Sequence, residues 1–162
     1  MNIFVLDKDP QVSAEMMCDK HIPKMIVESY QMMGSAVRRH GADDSVMPLT
    51  QAGKPLKGGY KNHPCTRWSG ESLQNYDWLS FHAMSLCYEF SMRFRKQHFC
   101  FEGLCKLDKL KSYLPNTGLT PFALAMPDEF KSDNPVNSYR EYYRTKHFAK
   151  WEKGREAPYW WN

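Results

Sequence analysis

The sequence predicts an all-α fold: a single compact domain of about four or five helices, with long ordered loops and an extended N-terminal arm. The length of 162 residues suits one domain spanning 1–162. The hydrophobic share of 42% is enough for a packed core. Apolar residues recur every three or four positions over the longest segments, which is the helical period. These observations favour one helical core.

The first forty residues are expected to form the arm and two helices. Residues 3–6 are a brief apolar run that predicts an extended segment. Asp9 and Pro10 then supply an N-cap and a first-turn proline, so a short helix begins there. Asp19 is placed to cap a second helix that continues to about Arg39.

The rest of the chain is predicted to combine long loops with three further helices. Residues 41–66 are rich in glycine, proline and polar residues without a sustained period, which indicates a long loop. A long core-facing helix follows over about residues 69–95, and a shorter one crosses residues 104–110. Asn134 and Pro135 repeat the cap-plus-proline start and predict a final helix.

Composition narrows the functional classes. A net charge of +4 permits a nucleic-acid partner without requiring one. The five cysteines form no CxxC pair, so reduced thiols are expected and no metal site or cofactor is indicated. No P-loop, GxGxxG, HExxH or GxSxG motif occurs, so nucleoside-triphosphate hydrolysis and zinc proteolysis have no support. Without a leader or a membrane span, we expect a cytoplasmic protein, in the host cytoplasm if it is viral.

The second predicted helix carries a polar flank that could belong to an active site. At about 100° per residue, His21, Lys24 and Glu28 fall within about one quarter of its circumference, beside the apolar stripe. Their side chains can therefore reach one spot at the core margin, where a desolvated carboxylate suits proton transfer. The same spacing also fits an exposed Lys24–Glu28 ion pair with no chemical role, worth roughly a few tenths of a kcal/mol.

A second polar cluster follows the long loop. Asn62 and His63 precede a helix, and Arg67 and Trp68 come directly after. An arginine beside an aromatic ring can bind a phosphate and stack on a base. Alternatively, His63 hydrogen-bonds the loop and Trp68 anchors the core. Both interpretations stay open at this point.

The final helix interleaves cations with aromatic residues. Arg140, Lys146 and Trp151 are among them. This composition is typical of nucleic-acid-facing surfaces, although a basic solvated helix face has the same pattern.

The stretch CDKHIPKMIVESYQMMGSAVRRHG, residues 18–41, resembles the start of the pyrimidine-dimer DNA glycosylases of the bacteriophage endonuclease V type. Those proteins have an Asp-x-His, a glutamate nine residues after the aspartate, and a Gly-Ala-Val-Arg-Lys-His run. Here Glu28 stands nine residues after Asp19, and GSAVRRHG follows. A looser similarity continues in a His-Pro dipeptide before a long helix, a later Pro-x-Glu and an aromatic tail.

This resemblance implies a compact helical fold with the N-terminal arm threaded between helices. In the family, the free α-amine of the first residue attacks the sugar C1′ of a damaged pyrimidine nucleotide. An imine forms, the base leaves, and β-elimination cuts the strand. The implied catalytic set is the Met1 amine as nucleophile, Glu28 as proton handler and His21 beside them. Lys24, Asn62, His63 and Trp68 are expected to contact a DNA or nucleotide substrate, with Arg38, Arg39, Arg67 and Arg140 on phosphates.

The sequence also departs from that family. Met1 precedes the bulky Asn2 and would normally be retained, whereas the family's amine is exposed by removal of the initiator methionine. The family has arginines beside the glutamate and three residues after it, where this chain has Val27 and Gln31. The missing cations argue against a strong grip on duplex phosphates. Two further functions therefore stay open: cleavage or exchange of the glycosidic bond of a free nucleotide, and non-catalytic binding of a nucleotide or nucleic acid.

Overall fold

Six α-helices and no β-strand make up the protein in a computed structural model that describes residues 1–162. The helices are α1 (Pro10–Glu15), α2 (His21–Arg39), α3 (Pro64–Ser69), α4 (Leu73–Phe94), α5 (Phe101–Asp108) and α6 (Pro135–Arg144). Short 3₁₀ turns occupy Lys111–Tyr113 and Asp128–Phe130. The all-α class predicted from the sequence is confirmed. None of the helices combines the length and hydropathy of a membrane-spanning segment.

The helix count exceeds five because the segment after the long loop forms two helices. α3 begins at Pro64, inside the region expected to be loop, and His63 is its N-cap residue. Gly70 ends α3, so the long helix does not start at residue 69. Ser72 instead caps α4 by accepting a hydrogen bond from the Asn75 N–H at 3.1 Å.

The start of α2 lacks the cap predicted at Asp19. The capping position belongs to Lys20, whose side chain makes no capping hydrogen bond. The Asp19 carboxylate pairs instead with Arg93 of α4 at 3.1 Å and accepts the Glu152 N–H at 2.7 Å. Asp19 therefore joins α2 to α4 and the C-terminal tail, a tertiary role that overrides its local capping preference.

The core lies where α2 packs against α4. α1 packs on α4, α3 packs on α2, and α5 contacts both central helices. The buried hydrophobic residues form one continuous cluster of 36 side chains, so the fold has a single core.

The N-terminal arm is extended and threads into this core, as predicted. Residues 3–6 are each at most 5% exposed. No neighbouring strand pairs with them, so side chains satisfy their main-chain groups. Ser13 of α1 donates to the Phe4 carbonyl and accepts from the Leu6 N–H, and Arg140 of α6 donates to the Leu6 carbonyl at 2.8 Å. The first residues of the chain are thereby held in a defined place.

The long loop between α2 and α3 is ordered by contact with α2. Ser35 donates its hydroxyl to the Gly59 carbonyl at 3.0 Å and accepts the Gly59 N–H at 2.9 Å. Gly58 has a φ of +83°, and a Cβ there would lie 2.6 Å from the Ser35 nitrogen. Only glycine fits this close approach. The loop is thus fixed just ahead of His63.

Candidate active site

The carboxylate of Glu28 is where the arm meets α2. Its Oε2 accepts the Asn2 N–H at 2.8 Å, and the Met1 amine nitrogen lies 3.7 Å from the same oxygen. The Nζ of Lys24 lies 3.9 Å from Oε1. The Glu28 side chain is 12% exposed, at the margin of the core. One mostly buried carboxylate therefore faces two amines.

Met1 is anchored by its side chain and presents its main chain outward. The side chain is 1% exposed and packs against the core. Since the residue as a whole is only half-buried, its exposed surface belongs to the main chain, which includes the amine. The buried side chain therefore fixes the position of the amine beside Glu28.

Asn2 organises the turn that places this amine, and sequence reasoning gave it no role. Its Oδ1 accepts the N–H groups of Ile3 and Phe4 at 2.8 and 3.1 Å, and its Nδ2 donates to the Ala125 carbonyl at 2.7 Å. Phe4 has a φ of 52°, a left-handed conformation uncommon for a residue with a side chain. The Asn2 bonds stabilise this bend, which directs Met1 towards Glu28.

His63 lies close enough to the amine and the carboxylate to feel both charges. Burial lowers the pKa of His63, the charged Met1 amine lowers it further, and Glu28 opposes them. Its Nδ1 accepts the Cys65 N–H at 3.2 Å, so the proton of the neutral ring is on Nε2. His63 therefore offers a neutral N–H donor beside the site.

Cys65 and Tyr139 lie beneath the site. Burial raises the pKa of the Cys65 thiol to about 11, so this cysteine is not a competing nucleophile at neutral pH. The Tyr139 hydroxyl lies 3.8 Å from Cys65 Sγ, donates to the Ala123 carbonyl at 2.6 Å and accepts the Ala125 N–H at 3.3 Å. This network fixes the Ala125 carbonyl that holds Asn2.

Comparison with known families decides which proteins this chain is related to. A family model described as pyrimidine dimer DNA glycosylase matches residues 1–102, which include the arm and α2 to α4. The chain belongs to the pyrimidine dimer DNA glycosylase family. Membership supports a DNA glycosylase function with DNA as substrate. No curated protein and no solved structure matches the chain.

Part of the support for the arm lies outside the region that matches this glycosylase family. Tyr139 and Arg140 both belong to α6, beyond residue 102. They hold Ala125 and Leu6, which in turn fix the two ends of the arm. The C-terminal part of the chain therefore contributes to the site by positioning.

His21 is buried beside the arm and makes no hydrogen bond or ion pair with Glu28. Its ring stacks on Phe4 at a centroid distance of 4.9 Å, and its Nδ1 lies 2.7 Å from the Tyr143 hydroxyl. Burial, with smaller contributions from nearby lysine charges, lowers the pKa of His21 to about 4. The ring is therefore neutral at physiological pH, and its contacts are those of a residue that supports the arm.

Three lysines form a cationic surface around His21, which we name the lysine ridge: Lys20, Lys24 and Lys146. Each lies near enough to lower the pKa of His21. Lys20 and Lys146 lie over aromatic rings and pair with no acid, while Lys24 is 63% exposed. Lys20 and Lys146 are therefore available to bind phosphates, whereas Lys24 also lies 3.9 Å from Glu28 Oε1.

Three of the arginines predicted to bind phosphate are engaged within the chain. Arg38 pairs with Asp44 at 2.6 Å, and Arg39 donates to a loop carbonyl at 2.6 Å. Arg140 pairs with Asp7 at 3.3 Å besides holding the arm. Their guanidinium groups fix the loop and the arm, a role that sequence composition does not distinguish from phosphate binding.

The cluster at the start of α3 divides between surface and core. Asn62 and Arg67 are exposed on either side of His63. Trp68 is 2% exposed and packs against Trp78 and Phe122, with ring centroids 6.0 and 5.1 Å apart. Its surroundings support the role of core anchor, because its ring is not open to a base. No group of three or more His, Cys, Asp or Glu side chains could hold a metal ion.

Proposed function

We propose that the protein is a DNA N-glycosylase and lyase that acts on damaged or modified pyrimidines through the Met1 amine and Glu28. The observation that carries this proposal is the 3.7 Å separation of the Met1 nitrogen from Glu28 Oε2, with the Met1 side chain buried and its main chain exposed. An α-amine, as a class, is partly neutral at physiological pH and can attack a sugar carbon.

In the first step, the lone pair of the neutral amine attacks C1′ of the flipped nucleotide. The C1′–N1 bond breaks, and its electron pair leaves with the base, which takes a proton from water. Glu28 accepts the proton that the attacking nitrogen loses. The protonated carboxyl then returns that proton to O4′ as the C1′–O4′ bond breaks and the iminium forms.

In the second step, the iminium makes the C2′ hydrogen acidic. Glu28, again a carboxylate, removes that proton, and the electron pair forms the C2′–C3′ double bond. The C3′–O3′ bond breaks, and the 3′ phosphate leaves with its electron pair. The protonated Glu28 gives the C2′ proton to the departing phosphate. The hydroxide left when the base took its proton from water then hydrolyses the iminium, which releases the amine and the cut strand.

The neighbouring groups position these reactants. The Asn2 N–H holds Oε2 in place, and the His63 Nε2–H can donate to a sugar or phosphate oxygen. Lys24 lies at the Oε1 side of Glu28, and it can bind the phosphates that flank the nucleotide together with Lys20 and Lys146 beside His21.

The test is turnover of a duplex oligonucleotide that contains one cyclobutane pyrimidine dimer. Glu28→Gln keeps the size of the side chain but removes its ability to accept a proton, so we expect the rate to fall by about 10²- to 10⁴-fold. Glu156→Gln is the matched control, because Glu156 is exposed and has no ion-pair partner, and it should behave as the unmodified protein. Equal rates for all three proteins would reject the proposal.

A second candidate is cleavage or exchange of the glycosidic bond of a free nucleotide. Arg38, Arg39 and Arg140 make ion pairs or hydrogen bonds within the chain. This favours the second candidate, because few cations then remain to bind the phosphates of a long duplex. A panel of free pyrimidine nucleotides, assayed for released base, separates the two: base release from the panel but not from the oligonucleotide supports this candidate. Binding of either substrate without turnover would leave only a non-catalytic role.

A further inference from the structure

α4 carries an apolar stripe on the side away from the core. Phe81, Tyr88 and Met92 are 56%, 63% and 51% exposed, and Met84 between them is half-buried. At about 100° per residue these four side chains fall within a sector of about 80°. Isolated apolar residues are normal on a surface, but a continuous row along one helix indicates an interaction surface.

The stripe lies between two depressions. One has a volume of about 710 Å³ and includes Trp78 and the exposed Leu119, and the other has a volume of about 330 Å³ and includes Gln11. Both depressions are lined by Phe81 and Met84. A helix laid along the stripe would therefore find a recess on each side for its own side chains.

The two ends of the stripe carry opposite charge. Asp77 and Asp108 lie at its N-terminal end, where Lys111 neutralises them only in part, at 3.2 and 3.9 Å. Arg95 and Lys153, at the C-terminal end, are exposed and pair with no acid. A partner that fits this surface therefore needs cationic groups opposite Asp77 and Asp108, an apolar middle, and anionic groups opposite Arg95 and Lys153.

A second copy of the same α4 meets that requirement when it lies antiparallel. If a two-fold axis crosses the helix at the level of Leu86, Met84 faces Tyr88 of the second copy, and Phe81 lies within one residue of its Met92. Asp77 then faces Arg95 of the second copy, and this ion pair forms twice. The contact is self-complementary, as a two-fold interface must be, and its span from residue 77 to residue 95 is about 27 Å.

We propose that the protein forms an antiparallel two-fold dimer through the outer face of α4. The residues of the stripe are distinct from Met1, Glu28, His63 and the lysine ridge, so both catalytic sites of the dimer stay open. A stable interface buries about 800 Å² on each subunit, so the walls of the two depressions must contribute alongside the stripe.

Sedimentation velocity over a range of protein concentrations tests the dimer and its surface. We expect the unmodified protein to dimerise and Phe81→Lys to raise the dissociation constant by about tenfold or more. Leu49→Lys is the matched control, because Leu49 is 58% exposed and lies on the loop after α2; it should dimerise as the unmodified protein does. A monomer at every concentration, or equal effects of both changes, would overturn the proposal and leave the stripe to a different partner.

Charge exchange and crosslinking test the antiparallel order. Asp77→Arg and Arg95→Asp should each weaken the dimer, and the double variant should recover affinity because both ion pairs re-form. Ser85→Cys lies next to the axis and should give a covalent dimer on oxidation, whereas Ser91→Cys on the same helix should not. A double variant weaker than both single ones, or efficient crosslinking through residue 91 alone, would contradict the antiparallel arrangement.

Discussion

Two glutamates on the two central helices show how differently the fold treats a carboxylate. Glu89 of α4 is 2% exposed, and guanidinium groups occupy both of its oxygens: Arg93 at 3.0 Å and Arg155 at 2.6 Å. Glu28 of α2 accepts one hydrogen bond, from the Asn2 N–H. The Met1 amine and the Lys24 ammonium lie farther away, at 3.7 and 3.9 Å. Glu89 is saturated, whereas Glu28 keeps lone pairs available for a reacting proton.

The geometry of the contacts, more than the number of neighbouring charges, distinguishes a structural carboxylate from one that can accept a proton during a reaction. Burial alone would raise the pKa of Glu89, but the hydrogen bonds from Arg155 and Arg93 hold it below its usual value. The charged Glu89 carboxylate therefore compensates the charges of Arg93 and Arg155, and its role is structural. Glu28 is held by the arm in a position where its partner, the Met1 amine, is itself a reactant in the proposed chemistry.

Moving the amine should produce the largest effect. One extra residue ahead of Met1 displaces the terminal nitrogen by about 3.5 Å, beyond the reach of Glu28, so we expect strand cleavage to fall by about 10²-fold or more. Intact-protein mass spectrometry verifies which amino terminus each preparation carries. An extension of the same length at the C-terminus is the control and should leave cleavage unchanged; full activity of the N-terminal extension would contradict the assigned nucleophile.

Glu89→Gln should lower the stability of the protein and leave its cleavage rate unchanged. Removal of this charge leaves Arg93 buried with less compensation, and we expect the free energy of unfolding to fall by about 3–5 kcal/mol. Chemical denaturation measures the loss, and the cleavage rate of the remaining folded protein should be unchanged. Glu156→Gln should alter stability by less than about 0.5 kcal/mol. If Glu89→Gln were as stable as that control, the contrast between the two glutamates would fail.

Acid should destabilise the fold through two buried histidines. Burial lowers the pKa of both His21 and His82 from 6.5 to about 4. Between these values the unfolded chain binds protons that the folded protein does not, so stability falls as the pH decreases from 6.5 to 4. The expected slope is up to about 1.4 kcal/mol per pH unit for each histidine. Urea unfolding at several pH values measures it, and a flat profile would show that these rings protonate in the fold.

The lysine ridge should give the smallest effect. If Lys20 meets a phosphate, Lys20→Gln should reduce the slope of log affinity against log salt by about 0.9 on duplex DNA. Lys54→Gln is the control, because Lys54 is exposed on the loop after α2 and is not a member of the ridge. The same slope for both variants would remove the ridge from the DNA-binding surface.

The sequence predicted the helical class and the shared face of Lys24 and Glu28, because these follow from local spacing. The arm between the helices was implied by the resemblance to the glycosylase family. The sequence did not predict the role of Asn2, whose partners include Ala125, far along the chain. The phosphate-binding role of Arg38 and Arg140 stays a prediction, and the sequence did not reveal that both guanidinium groups donate to main-chain carbonyls within the chain. Long-range contacts decide such cases, and they leave no periodic signal.

Borohydride trapping shows directly whether the Met1 amine is the nucleophile, because two amines lie at nearly equal distances from Glu28. An oligonucleotide with one abasic site is incubated with the protein and reduced, and the adduct is mapped by peptide mass spectrometry. The Met1 nitrogen lies 3.7 Å from the carboxylate and Lys24 Nζ lies 3.9 Å from it, but an α-amine is more often neutral than a lysine side chain. We expect the adduct on the α-amine of Met1, and we expect it to persist in Lys24→Gln. An adduct on Lys24, or none with a protein that still cleaves the strand, would contradict the assignment of Met1 as the nucleophile.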